Sequence, residues 1–121
     1  MIIINENNYP VVIMIFDKFY EMEYKTFIKN LEYYDDKTKK ENFSFKLYID
    51  LYNLHDYSYL QFNKLVEYLT GRFYPTLDRV KIYFNKNNTS YIIKAMAYAN
   101  NMTQNNFRMD IIDLEEPRKW Y

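Results

Sequence analysis

The residues best suited to chemistry gather around one predicted strand-to-helix turn. His55 is the only histidine of the chain, and it follows a predicted strand that carries Asp50 near its end. Asp56 comes directly after His55. Open α/β sheets bind their ligands beyond the carboxyl ends of the strands, so one hypothesis is an enzyme with its site around Asp50, His55 and Asp56. We expect no enzyme, because no acid–base pair with an orienting partner can be named there.

The same turn has a simpler structural interpretation. Asp56 or Ser58 can accept hydrogen bonds from the free N–H groups at the start of a following helix, and Asn53 suits a turn. Ser58 is also a candidate phosphorylation site. An added phosphate would be favourable at a helix N-terminus but disruptive within an apolar contact.

The residue inventory excludes several classes of site. The chain has no cysteine, so it has no disulfide, thiolate nucleophile or zinc-thiolate site. With one glycine, Gly71, it lacks the glycine-rich loops that approach phosphate closely. The acidic pairs Asp35–Asp36 and Glu115–Glu116 are interpreted as solvated charge. We therefore expect no cofactor and no metal.

The charge balance bears on partners and location. The 121 residues contain 16 basic and 16 acidic side chains, and this zero net charge disfavours non-specific binding to nucleic acid, although a local basic patch stays open. The longest apolar run, residues 11–16, is too short to cross a bilayer, and no signal peptide is recognised. We expect a cytoplasmic protein with no membrane span. The richness in Tyr, Asn, Lys and Ile is typical of an AT-rich genome, as in some large DNA viruses.

Alternation and apolar runs predict the strands. Continuous apolar character over Val11–Phe16 predicts a central strand covered on both faces. Period-two alternation from Phe45 to Leu51 predicts another. The remaining strand predictions are Met1–Asn5, Val80–Phe84 and Phe107–Ile112.

Spacings of three and four predict three helices. The first begins through Asp17 as N-cap and ends before a charged connection at residues 35–42. Its predicted apolar face comprises Tyr20, Tyr24, Phe27, Ile28, Leu31 and Tyr34. The second runs through Leu65 and Leu69 to a C-terminal cap at Gly71, and the third follows Asn88–Ser90.

These elements predict one domain. Residues 1–114 form a single α/β domain, and residues 115–121 form a polar tail that contains the only tryptophan, Trp120. The order β-β-α-β-α-β-α-β predicts a four- or five-stranded, mostly parallel sheet with helices on both faces. Aromatic residues make up 21% of the chain, and those left over from the apolar faces are expected at a surface. These are Tyr33, Tyr48, Tyr57, Tyr59, Tyr68 and Tyr91.

The stretch from Phe45 to Leu69, FKLYIDLYNLHDYSYLQFNKLVEYL, resembles the centre of a STAS domain, the fold of anti-sigma factor antagonists. In that family a strand ending in Asp precedes a turn with a phosphorylatable Ser and a Leu-rich helix. Asp50 matches the strand Asp, and Asp56-Tyr57-Ser58-Tyr59 stands where the family has Asp-Ser-Ser-Gly. The resemblance implies a regulatory module that docks a partner, with Asp56, Tyr57, Ser58 and Tyr59 in the contact.

A second resemblance is to the latter half of a Sec14-type (CRAL-TRIO) domain, through Tyr74-Pro75 and residues 80–85. Two functions follow from these likenesses. The first is a non-enzymatic, STAS-like interaction module that binds a protein partner or a second copy of itself as a homodimer. The alternative is a small carrier of lipid or another apolar ligand.

Overall fold

The protein is described by a computed structural model over residues 2–54, 69, 74–87 and 108–120. It is an α/β fold with a five-stranded sheet in the order β1-β2-β3-β4-β5. The first two strands pair antiparallel, and the other neighbours pair parallel. The prediction of a mostly parallel sheet is therefore confirmed. The elements are β1 (Ile2–Asn8), β2 (Val11–Phe16), α1 (Glu21–Glu41), β3 (Phe45–Asp50), β4 (Leu77–Asn85) and β5 (Arg108–Leu114).

Strand β2 is covered on both faces, as its continuous apolar run predicted. Val12, Met14 and Phe16 are fully buried on the side of α1, and Ile13 is buried on the opposite side. The alternation in β3 is confirmed as well, because Leu47 and its odd-numbered neighbours belong to the core. Strands β1 and β4 extend beyond their predicted bounds.

Helix α1 packs on one face of the sheet through Phe27, Leu31 and Tyr34, as predicted. Its predicted start was wrong. The helix begins at Glu21, and its N-cap is Tyr20, whose backbone N–H donates to the Glu23 carboxylate at 2.9 Å. This bond satisfies the backbone N–H of the N-cap residue, as the N3 glutamate of a capping box does.

The charged connection predicted at residues 35–42 was also wrong, because α1 continues through Glu41. Asp35 is buried rather than solvated: its carboxylate accepts hydrogen bonds from the Thr76 backbone and hydroxyl and pairs with Lys39 at 2.8 Å. The helix ends at Asn42, which adopts the left-handed conformation with φ of 62°. A contact 41 residues away in sequence thus stabilises the last turns.

The predictions of the second and third helices fall largely outside the described residues. Leu69, within the second, is helical and fully buried. In the described part of the chain α1 is the one complete helix, so helices on both faces are not observed there. Among the described residues, the C-terminal residues of the chain lie on the face opposite α1.

Candidate functional site

The face of the sheet that points away from α1, called here the outer face, carries polar and aromatic side chains in rows. Alternation along β3 directs Lys46, Tyr48 and Asp50 to this face, while Phe45, Leu47 and Ile49 enter the core. Strand β4 adds Arg79, Lys81 and Tyr83. Register places Lys46 beside Arg79, Tyr48 beside Lys81 and Asp50 beside Tyr83.

Residues 115–120, called here the strap, cross the outer face from one edge of the sheet to the other. At the β5 end the Tyr52 hydroxyl donates to the Glu115 carbonyl at 3.1 Å, and the Glu115 carboxylate pairs with Lys86 at 3.0 Å. At the β1 end the Asn5 amide donates to the Trp120 carbonyl at 3.2 Å. Both ends of the strap are thus tied to the sheet.

A hydrogen bond from Trp120 to a buried carboxylate holds the strap against the sheet. Its indole N–H donates to Asp50 Oδ2 at 2.7 Å, while the backbone N–H of Tyr52 donates to Asp50 Oδ1 at 2.9 Å. Asp50 is only 3% exposed. A buried carboxylate needs hydrogen-bond donors, so the Trp120 contact stabilises both partners.

Aromatic and cationic groups surround this hydrogen bond. The Trp120 ring meets Tyr83 edge-on at 5.0 Å and Tyr48 at 6.1 Å between centroids. The Arg118 guanidinium lies 4.6 Å from the Trp120 ring centroid, and Lys81 Nζ lies 5.1 Å from that of Tyr48. Burial raises the pKa of the Tyr83 hydroxyl, and Arg118 acts in the opposite direction.

An open groove of about 390 Å³ lies between the strap and the first two strands. Val11 supplies aliphatic surface above the buried Ile13, and Tyr48 and Trp120 supply aromatic surface. The polar groups among the described lining residues are cationic or neutral. The lining residues are Asn8, Val11, Ile13, Tyr48, Arg118, Lys119 and Trp120.

Basic residues continue beyond the groove along one row of the sheet. Lys46 is the Cα partner of Val11 on one side and of Arg79 on the other. The next Cα partner in the row is Arg108 of β5. In a chain with no net charge, two described basic residues, Lys46 and Arg79, thus stand side by side on the outer face, while the next row pairs Lys81 with Asp110.

The structure accounts for only part of the predicted site. Asp50 is described, and its two oxygens are engaged as above. His55, Asp56, Tyr57, Ser58 and Tyr59 lie outside the described residues. Tyr33 is 55% exposed, as expected for a surplus aromatic, and Tyr48 is partly buried in the groove wall.

Sequence reasoning missed the strap. The one sequence signal for it was the alternation of Lys46, Tyr48 and Asp50 along a strand. This mixture of charged and aromatic side chains indicates a sheet face that is in contact with another part of the chain. Nothing local to Arg118 or Trp120 shows that they return to that surface.

Two negative findings concern the described residues alone. Within residues 2–54, 69, 74–87 and 108–120, no three His, Asp or Glu side chains are grouped to hold a metal ion. No helix in that same part of the chain has the length and apolar character needed to cross a bilayer.

Comparison with known proteins adds no relative: no family model, curated protein or solved structure matches the chain.

Proposed function

We propose that the chain is a non-enzymatic protein-interaction module of regulatory type, and that it contacts its partner through the outer face and strap. The observation that carries the proposal is the groove beside Trp120. Its walls are held in place before any partner arrives, because Trp120 is fixed by Asp50 and by Asn5. A preorganised surface with aromatic residues and arginine has the composition of protein interfaces.

The α1 side of the sheet is less suited to binding. Large side chains fill the space between helix and sheet, and Phe16, Phe27 and Phe45 are fully buried there. A carrier would need an apolar cavity in that position. The packing of the described side chains in this layer therefore favours an interaction module over a carrier.

The state of Asp50 argues against a catalytic role for this carboxylate. One oxygen accepts the indole N–H and the other accepts a backbone N–H, so the group is used to hold the strap and the turn after β3. A general base needs access to a substrate proton. Asp50 is nearly inaccessible, which favours a structural role.

The STAS-like hypothesis forms part of the proposal. Its support is Asp50 at the end of β3 and the Leu-rich segment that follows. On this hypothesis the turn Asp56–Tyr59 adds a regulated contact, with Ser58 as the modified residue, in a cytoplasmic setting. Helices on both faces of the sheet belong to the same hypothesis.

The test is quantitative affinity capture from the cells that express the protein, with solution mass measured by light scattering. Val11→Arg places a long charged side chain in the groove. Met22→Arg, at a position 75% exposed on α1, is the matched control. We expect a partner, or a second copy, that is retained by wild type and Met22→Arg but lost with folded Val11→Arg. Equal capture by the two variants, or a monomer without specific partners, would overturn the proposal.

A further inference from the structure

We infer that the groove beside the strap binds an acidic segment of the partner protein that carries one apolar anchor side chain. This inference rests on the proposed function, because it specifies the chemistry of the partner for the same surface.

The first support is the charge around the groove. Arg118 and Lys119 line it, and Lys46 adjoins it through the register with Val11. None of the described residues that line it is acidic. Among the described residues, none forms an ion pair with Lys46, Arg79 or Lys119. In the next outer-face row Asp110 is the Cα partner of Lys81, and two rows away Asp50 is buried with both oxygens hydrogen-bonded. Neither carboxylate is the Cα partner of Lys46 or Arg79.

The second support is the cross-strand arrangement of like charges. Lys46 and Arg79 are direct neighbours on adjacent strands, on the same face. Adjacent strands are about 4.8 Å apart, and like charges placed opposite each other destabilise a sheet. An anionic partner would relieve this repulsion, so the row is better suited to the bound state than to the free one.

The third support distinguishes a peptide from a nucleic acid. Single-stranded nucleic acid binds by stacking its bases on accessible aromatic faces. Here Arg118 lies against the Trp120 ring, Lys81 lies against the Tyr48 ring, and Tyr83 packs on Trp120. A cation of the protein thus lies over one face of each of these two rings, which reduces the aromatic surface left for base stacking. The aliphatic surface of the partly exposed Val11 instead suits a leucine-like side chain.

The size of the groove agrees with a single anchor side chain as its occupant. About 390 Å³ accommodates one or two side chains rather than a whole helix. One apolar anchor with flanking carboxylates therefore satisfies both the aliphatic surface and the cationic rim.

The experiment uses the fluorescence of Trp120, the only tryptophan, which forms a groove wall. The full chain is titrated with the capped peptide Glu-Glu-Leu-Glu-Glu, with its Ser-centred and Lys-flanked counterparts, and with a thymidine oligonucleotide. Calorimetry provides a second readout. We expect the Leu-centred acidic peptide to bind most tightly, and its affinity to fall about tenfold or more when salt rises from about 50 mM to about 300 mM.

Charge-reversal variants locate the binding site. Lys119→Glu and Lys46→Glu are each expected to weaken the acidic peptide about tenfold or more. The matched control is Lys29→Glu, which makes the same charge change at an exposed position of α1. We expect it to leave peptide affinity within about twofold of wild type.

Three results would overturn the inference: no binding of the acidic Leu peptide at low salt, tighter binding of the oligonucleotide, or an equal loss in the Lys29→Glu control. Its failure is distinguishable from failure of the proposed function. If Val11→Arg abolishes partner capture while the acidic peptide does not bind, the outer face remains the contact surface and only the acidic chemistry is wrong.

Discussion

Trp120→Phe tests the hydrogen bond that holds the strap against the sheet. The substitution keeps an aromatic ring against Tyr83 but removes the indole N–H that donates to Asp50 Oδ2 at 2.7 Å. Because Asp50 is 3% exposed, water cannot easily replace the lost donor. A hydrogen bond to a charged group contributes about 1.5–3 kcal/mol, so we expect the free energy of unfolding to fall by about 2 kcal/mol.

The assay is urea unfolding followed by far-ultraviolet circular dichroism, because the variant lacks tryptophan fluorescence. With a slope of about 2 kcal/mol per molar urea, the expected loss lowers the unfolding midpoint by about 1 M. The matched control is Tyr52→Phe, which removes a different hydrogen bond between the body of the protein and the same strap. Its hydroxyl makes an exposed hydrogen bond to the Glu115 carbonyl, and removing it should cost about 0.5 kcal/mol or less.

A double-mutant cycle identifies the cause of the loss. If the unpaired Asp50 carboxylate is responsible, Trp120→Phe should cost much less in an Asp50→Asn background, with a coupling of about 1–2 kcal/mol. Equal losses in both backgrounds, or a Trp120→Phe variant within about 0.5 kcal/mol of wild type, would refute the reasoning.

Three further predictions concern α1 and its contacts. Asp35→Ala removes the buried carboxylate that accepts from the partly buried backbone N–H and hydroxyl of Thr76, and it should lower stability by about 2 kcal/mol in thermal unfolding; a loss below about 1 kcal/mol would contradict this. Burial and the hydrogen bond to Glu6 raise the pKa of Tyr34 above its ordinary value of 10.0, so the folded state keeps a proton that the unfolded chain releases. Stability should therefore fall as pH rises above about 10, by up to about 1.4 kcal/mol per pH unit, and Tyr34→Phe should reduce that slope in urea midpoints. Asn42 has a left-handed backbone conformation, so Asn42→Ala should lower the free energy of unfolding by about 1 kcal/mol, whereas Asn42→Gly should leave it nearly unchanged. Equal losses for the two variants in chemical denaturation would contradict the left-handed conformation at this position.

Much of the scaffold could be predicted because its signals are local. The period-two pattern of β3 and the apolar run of β2 each reflect the geometry of a single strand. The spacing of Phe27, Leu31 and Tyr34 likewise reflects one helix face. Such patterns act between residues a few positions apart, so a sequence displays them directly.

The end of α1 shows where local reasoning stops. Residues 35–41 are mostly charged and lack an apolar stripe, so they indicate a connection. Asp35 is instead drawn into a buried contact with Thr76, which belongs to the segment before β4. Helix propensity is a weak preference, and tertiary contacts override it.

The sequence by itself determined an α/β chain with a mostly parallel sheet, one long helix face and no net charge. Only the tertiary structure decided that Trp120 meets Asp50, 70 residues away, and that Lys46 lies beside Arg79. Net charge is a sum that contains no positions, and neither strand register nor the path of the strap follows from the residues nearby. The candidate site exists because folding brings these distant segments onto one face of the sheet.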